Sequence, residues 1–308
     1  MPVHSPYTSL LSHIPVSEGG VSVLGSQTRF WDYGPADSPV VIVAVHGFRG
    51  EHHGLEPVVA HLPGIRIISP DLPGFGESTP LTEVGHTLDG YSRWLTGFVA
   101  ALGLSTPPII LGHSFGSIVT SAAVADGLQT PKLILINPIA APALSGPKAF
   151  LTWLTVVYYR AGAALPEKLG AALLGNWLIV HFTSLAMVTT KDRSLRAWIH
   201  NQHHTYFSRY SDRSTVLAGF DASVTSDVSM AAPRISVPTL LIAADHDPIT
   251  SVRALHRLDD LFVDSTLVML ADVGHLIHYE RPREAAEAIT AFIAAERTDA
   301  PERVPELP

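Results

Sequence analysis

Short, continuous apolar runs recur along the chain, with helix-like stretches between them. The runs Val40 to Val45, Arg66 to Ile68, Ile109 to Leu111, Lys132 to Ile136, Thr239 to Ala243 and Thr266 to Leu270 are rich in Val, Ile and Leu and do not alternate with polar residues. Strands buried on both faces read this way, because a parallel sheet carries helices on either side. An earlier stretch, Val21 to Tyr33, does alternate and predicts an antiparallel edge. Within Gly85 to Leu104, the residues Leu88, Tyr91, Leu95, Phe98 and Leu102 recur at helical spacing, and a second helix is expected over Arg283 to Glu296, just after Pro282. Strand and helix alternate, so the class is α/β, with a mostly parallel central sheet flanked by helices.

That rhythm stops between Asn137 and Val237. A stretch of about a hundred residues is too long for a loop and predicts an inserted module. The expected divisions are a first core part over 1–138, a helical cap insertion over 139–236, a second core part over 237–297 and a flexible C-terminal tail over 298–308, where proline and charge mix without apolar period. Inside the cap, Leu169 to Thr190 carries no charged side chain, and Ala149 to Tyr159 is nearly as apolar. By length the first stretch could span a bilayer. The strands before and after it belong to one sheet, however, so a single crossing would leave the chain on the wrong side. A helix apolar all round is instead buried, lines an apolar cavity or rests on lipid. Peripheral membrane contact through the cap is therefore one expectation.

Composition narrows the classes. The chain has 308 residues, 46% of them hydrophobic, enough for a large buried core. A formal net charge of -8 and a pI near 6.0 supply no basic field for a phosphate backbone, which argues against a nucleic-acid partner. Cysteine is absent, so disulfides, thiolate catalysis and cysteine-bound zinc are excluded. Met1 to His13 contains no lysine or arginine and no long apolar run. It does not read as a secretory signal, and the expected setting is cytoplasmic.

The chemistry centres on Gly112-His113-Ser114-Phe115-Gly116, a G-x-S-x-G pentad between an apolar strand and a helix-like run from Ser117 to Asp126. A serine hydroxyl is a poor nucleophile unless it is exposed, beside a base and close to donors for a developing oxyanion. A sharp strand-to-helix turn supplies the exposure and aims the N–H of Phe115 at the reacting carbonyl. Upstream, Val45-His46-Gly47-Phe48-Arg49-Gly50 ends another strand, and a turn there offers the N–H of Phe48 as the second donor. The loop Asp71-Leu72-Pro73-Gly74-Phe75-Gly76-Glu77-Ser78 reads as a structural turn.

Taken in order, the His-Gly-x-x-Gly turn, the Asp-x-Pro-Gly-x-Gly-x-Ser loop and the nucleophile elbow make the chain resemble the α/β-hydrolase fold superfamily, from about Val21 to Glu296 and most weakly across the cap. The resemblance is to its serine-nucleophile, esterase- or lipase-like branch with a helical cap. It implies an acid and then a histidine downstream of the serine. Asp247, ahead of Pro248-Ile249-Thr250, matches the acid, with Asp245 as the rival. Some relatives carry the acid after the preceding strand, where this chain has Asn137, which cannot stabilise an imidazolium as a carboxylate does. His275, in Asp272-Val273-Gly274-His275, matches the histidine, and Tyr279-Glu280-Arg281-Pro282 matches the turn into the last helix. His278 lacks the preceding glycine turn. Haloalkane dehalogenases and epoxide hydrolases of the superfamily carry aspartate at the elbow, and Ser114 argues against both.

The expected activity is hydrolysis of a carboxylic ester of a moderately apolar substrate through Ser114, Asp247 and His275, with no cofactor and no metal. A carbon-carbon bond hydrolase of ring-cleavage products uses the same triad, although Leu276 stands where those relatives commonly have tryptophan. A haloperoxidase-like perhydrolase and a slow-turnover ligand-sensing protein remain alternatives. Arg49 is read as a structural ion-pair partner or as a partner for a substrate carboxylate. His200, His203 and His204 are expected to pack and hydrogen-bond beside Tyr206, Phe207 and Tyr210. His52 and His53 either line the site mouth or are solvated.

Overall fold

The computed structural model describes residues 4–142 and 149–295, so the expected tail over 298–308 lies outside the described residues. Eight strands form one sheet: β1 (Val16–Val23), β2 (Ser26–Tyr33), β3 (Val41–Val45), β4 (Arg66–Pro70), β5 (Ile109–His113), β6 (Leu133–Ile136), β7 (Thr239–Ala244) and β8 (Ser265–Leu270). Their spatial order is β1-β2-β4-β3-β5-β6-β7-β8. β1 and β2 pair antiparallel, β2 runs antiparallel to β4, and every later pairing is parallel. The alternating stretch is thus an edge hairpin. Its turn, Leu24-Gly25, has φ of 49° and 79°, the positive values that suit a two-residue hairpin turn.

Each apolar run expected to be a strand is one, and both faces of the sheet are covered. Along β3, Val43 and Val45 join a core with Trp94, Phe98 and Ile118, while Ile42 and Ala44 join the opposite core with Val58, Ala285 and Ile289. Outside the β6–β7 segment the helices are short α1 (Thr8–Leu11) and α2 (Glu56–Val59), then α3 (Leu88–Ala101) and α4 (Phe115–Ala125), and past β7 α10 (Val252–Leu261), α11 (Ile277–Glu280) and α12 (Pro282–Ala294). α3 begins at Leu88 rather than Gly85 because the Thr87 hydroxyl accepts from the N–H of Gly90 and fixes the start there.

Between β6 and β7 the described residues carry no strand and five α-helices, α5 (Ala149–Ala164), α6 (Glu167–Leu174), α7 (Trp177–Met187), α8 (Arg193–Tyr206) and α9 (Arg213–Thr225), followed by two 3-10 turns at Val228–Met230 and Ala232–Arg234. The uncharged stretch expected as one apolar helix is broken in two. Gly175 ends α6, and the Asn176 side chain caps α7 by accepting from the N–H groups of Leu178 and Ile179. Asp192 and Asp212 cap α8 and α9 in the same way. β6 and β7 pair directly across this segment, from Leu133 with Thr239 to Ile136 with Ile242, so its two ends return to neighbouring strands.

Candidate active site

Ser114 stands between β5 and α4 with φ 53° and ψ -118°. A side chain held in that unfavourable region needs its surroundings to fix it. The Ser114 N–H donates to the carbonyl of Ile136, and its own carbonyl accepts from the N–H and the hydroxyl of Ser117. The flanking glycines follow from crowding rather than from flexibility. A Cβ on Gly112 would collide with Thr120 Oγ1 and the Gly116 carbonyl, and a Cβ on Gly116 would collide with the Val45 carbonyl.

The turns after β7 and β8 bring two more side chains to this elbow. His275 Nε2 lies 2.7 Å from Ser114 Oγ, and His275 Nδ1 lies 2.7 Å from Asp247 Oδ2. Asp247 Oδ1 accepts from the N–H groups of Ile249 and Thr250 at 2.7 and 3.2 Å, while Oδ2 also accepts from Asn137 Nδ2 at 3.1 Å. Burial opposes the charge on Asp247, yet His275 and those N–H groups hold its carboxyl below the usual range. The arrangement is a base able to take the Ser114 proton, with a carboxylate fixing the base's tautomer. Asp245 pairs with His246 at 2.8 Å.

Phe48 and Phe115 both line the cavity beside Ser114, and the N–H of neither has a hydrogen-bond partner within the described residues. The cavity is about 650 Å³ and extends under α5, α7, α8 and α9, with Leu154, Val180, Met187, His203 and Phe220 on its walls.

Several expectations are corrected. Arg49 is buried and has no carboxylate partner among the described residues. Its guanidinium donates to the carbonyls of Phe207 and Leu174, to Tyr159 Oη and to Ser208 Oγ, and lies 4.3 Å over the Phe207 ring. It ties the turn after β3 to α5, α6 and the end of α8. His52 and His53 neither line the cavity nor stand in solvent as bare side chains. His52 is buried, stacks on Trp31 at 3.2 Å and donates its N–H to Asp71 Oδ1, 2.9 Å from its Nδ1, while His53 stacks on Tyr206 and meets Glu51 at 2.5 Å. Glu51, His52 and His53 are the group whose candidate ligand atoms lie within 4.8 Å of one another, but their imidazoles are occupied by carboxylates that build the turn.

In α8, His200 and His203 both meet Ser184 Oγ at 2.6 Å, and His204 Nε2 lies 3.1 Å from His181 Nδ1. Three bracing roles are not legible in the sequence. Asn137, at φ 47°, braces Asp247; Glu280 accepts from the N–H groups of Thr189 and Thr190; and Thr189 Oγ1 accepts from the N–H of Gly274, next to His275. The Tyr-Glu-Arg-Pro match was the one available signal, and it marked Glu280 without its partners.

Buried imidazoles give the fold a pH signature. Burial first, then neighbouring imidazoles, push His113 and His203 down to about 3, and burial lowers His46 and His278 as well. A histidine in an unfolded chain titrates near about 6.5. Between these values the unfolded chain binds more protons, so the stability these groups contribute is full above about 6.5 and is lost as pH falls toward about 3. Thermal melts from pH 7 to 4.5 are expected to show a steady fall in Tm; a flat Tm across that window would contradict neutral burial of these rings.

A model of the "Alpha/beta hydrolase family" matches residues 42–288. The chain belongs to that family. It is a hydrolase by membership. Lipase 3 of Moraxella sp. (strain TA144) is 24% identical over 264 residues, covering 82% of this chain and 76% of that protein. Among solved structures, a thermophilic esterase from Thermogutta terrifontis superposes with TM-score 0.68 at 22% identity, over 90% of this chain and 98% of the other. A membrane phospholipase A, described as a bacterial virulence factor, superposes at 0.72 with 18% identity, over 93% and 87%. At these identities the structural likeness carries the fold alone.

Proposed function

We propose that this α/β hydrolase is a serine esterase that cleaves a carboxylic ester of an apolar acyl chain through an acyl-enzyme. The observation that carries the reading is the unbroken relay from Ser114 Oγ to His275 Nε2 and from His275 Nδ1 to Asp247 Oδ2, both at 2.7 Å. His275 takes the hydroxyl proton as Ser114 attacks the carbonyl, and Asp247 stabilises the imidazolium. The N–H groups of Phe48 and Phe115 hold the oxyanion. His275 returns the proton to the leaving alcohol, and water deprotonated by His275 then releases the acid. Serine, imidazole, carboxylate and water complete the chemistry, so the mechanism calls on no cofactor. The test is steady-state hydrolysis of p-nitrophenyl esters of increasing acyl length: turnover with a preference beyond acetate supports the reading, and no turnover of any member sinks it.

The helical segment over 139–236 is proposed to act as a cap that rests on lipid. Nine of the fifteen large apolar side chains left exposed among the described residues fall between Trp153 and Leu185, with Trp177 at 58% and Phe182 at 67% exposure. Leu154 and Phe182 belong both to this surface and to the cavity wall. From 149 to 213 the chain carries seven Lys and Arg against three Asp and Glu, although the whole carries -8. That local excess suits an anionic membrane surface. Co-sedimentation with phosphatidylserine-containing vesicles at low salt is expected, and Trp177→Ser with Phe182→Ser should weaken it by about tenfold or more, from the apolar area withdrawn. Absence of wild-type binding would remove the membrane role.

A further inference from the structure

The two walls of the cavity differ in chemistry. Around the elbow the wall is aromatic: Phe48 lies 6.3 Å from Phe115 and 6.1 Å from Phe220, and Tyr159 stacks on Phe220 at 3.8 Å, all between ring centroids. Around His275 it is polar. The His113 ring lies 5.9 Å from His275, His278 lies 3.9 Å from His113, and Tyr279 lies 4.0 Å from His278. No ring contact joins the two groups among the described residues. Glu51, Gln202 and Tyr206 complete the polar wall.

This wall holds an unusual share of unmet hydrogen-bonding capacity. Among the described residues, His113 Nε2 and His278 Nδ1 are buried without a hydrogen-bond partner, and the half-buried Tyr206 and Gln202 and the Tyr279 hydroxyl line the cavity with no side-chain hydrogen bond. Glu51 Oε2 has no hydrogen bond either, with Arg209 3.6 Å away. Polar groups inside folded proteins are almost always paired. Burial keeps the Tyr206 and Tyr279 phenols protonated and the His278 ring neutral, so the wall offers neutral donors and acceptors together with one carboxylate.

Proton accounting says which half of a substrate meets this wall. The leaving oxygen must collect its proton from His275 Nε2, so the alcohol departs on the His275 side and the acyl chain is left toward the aromatic wall. An anionic headgroup would face Glu51, and the buried Arg49 is already committed to four other acceptors. We propose that Glu51, Gln202, Tyr206, His278 and Tyr279 form a subsite for the alcohol half of the substrate, and that this half is a neutral alcohol with free hydroxyls, a glycerol monoester being the simplest case. This assignment rests on the serine-esterase reading.

The test compares kcat/KM for 1-butanoylglycerol, propyl butanoate and butanoylcholine, which share one acyl chain. The first two alcohols have the same three carbons and differ by two hydroxyls. The glyceryl ester is expected to be preferred over the propyl ester by at least about tenfold, because a site built to bond hydroxyls discriminates against analogues that lack them. Tyr206→Phe combined with Tyr279→Phe removes two hydroxyls, leaves both rings in place, and should bring that ratio close to one. Gln202→Leu, measured separately, should lower the ratio severalfold and keeps the test available if the double variant does not fold. A wild-type ratio near one, or a ratio unmoved in the variants, overturns the subsite. A choline ester preferred over both would mean that Glu51 receives a cation, and overturns it too. Failure to hydrolyse any of the three would instead bring down the esterase reading on which it rests.

Discussion

Ser114→Ala is expected to lower kcat/KM for p-nitrophenyl butanoate by at least about 10⁴-fold while the protein stays folded by circular dichroism. Among the described residues, the one hydrogen bond made by Ser114 Oγ is to His275 Nε2, and the strained turn is fixed by bonds to the backbone that alanine keeps. Loss of that oxygen removes the proposed nucleophile and leaves the proposed base, the proposed oxyanion donors and the cavity where they are. What survives would be catalysis by binding and the two N–H groups alone. Near-native activity in this variant would mean that the acyl group is taken by some other atom.

Asp247→Asn is expected to cost about 10⁴-fold in kcat at pH 7. The asparagine carbonyl can still accept from the N–H groups of Ile249 and Thr250, so the turn after β7 should hold. Its amide, though, would present a donor to His275 Nδ1. The ring would then carry its proton on Nε2, the atom that must accept from Ser114, and the imidazolium formed during attack would lose its counter-charge. Asp245→Asn is the matching control. Among the described residues Asp245 bonds to one side chain, its neighbour His246, and asparagine keeps an oxygen for the N–H groups of Asp272 and Val273, so kcat is expected to change by less than about twofold. Equal losses in the two variants would contradict the assignment of the acid to Asp247.

Local pattern made much of this molecule legible. Continuous apolar runs specify buried parallel strands because both faces of each strand must be covered, and the six runs read that way are β3 to β8, of which β8, at the sheet edge, is only half-buried. The elbow was legible for a similar reason: Gly112 and Gly116 are required by clashes within a few residues and with the adjoining strand. What could not be read depends on pairs distant in sequence. Arg49 looked like half of an ion pair, yet its acceptors are carbonyls and hydroxyls more than a hundred residues away, and no local spacing announces a backbone carbonyl as a partner. Asn137 was set aside as an acid and is instead the amide that donates to Asp247. His52 reads as a site-mouth or solvated residue because nothing near it in sequence reveals Trp31 stacked on its ring or Asp71 accepting from its N–H. The break in the uncharged stretch was legible in principle, since Gly175-Asn176 is a stop followed by a cap.

The most direct measurement of the central claim is covalent labelling with a fluorophosphonate, followed by peptide mass spectrometry. The probe reacts with a serine oxygen that has been made nucleophilic by a neighbouring base. The account predicts one phosphonyl group per chain, carried by Ser114, and little or no labelling in His275→Ala. Labelling at another residue, or an unlabelled Ser114 in folded wild-type protein, would contradict it.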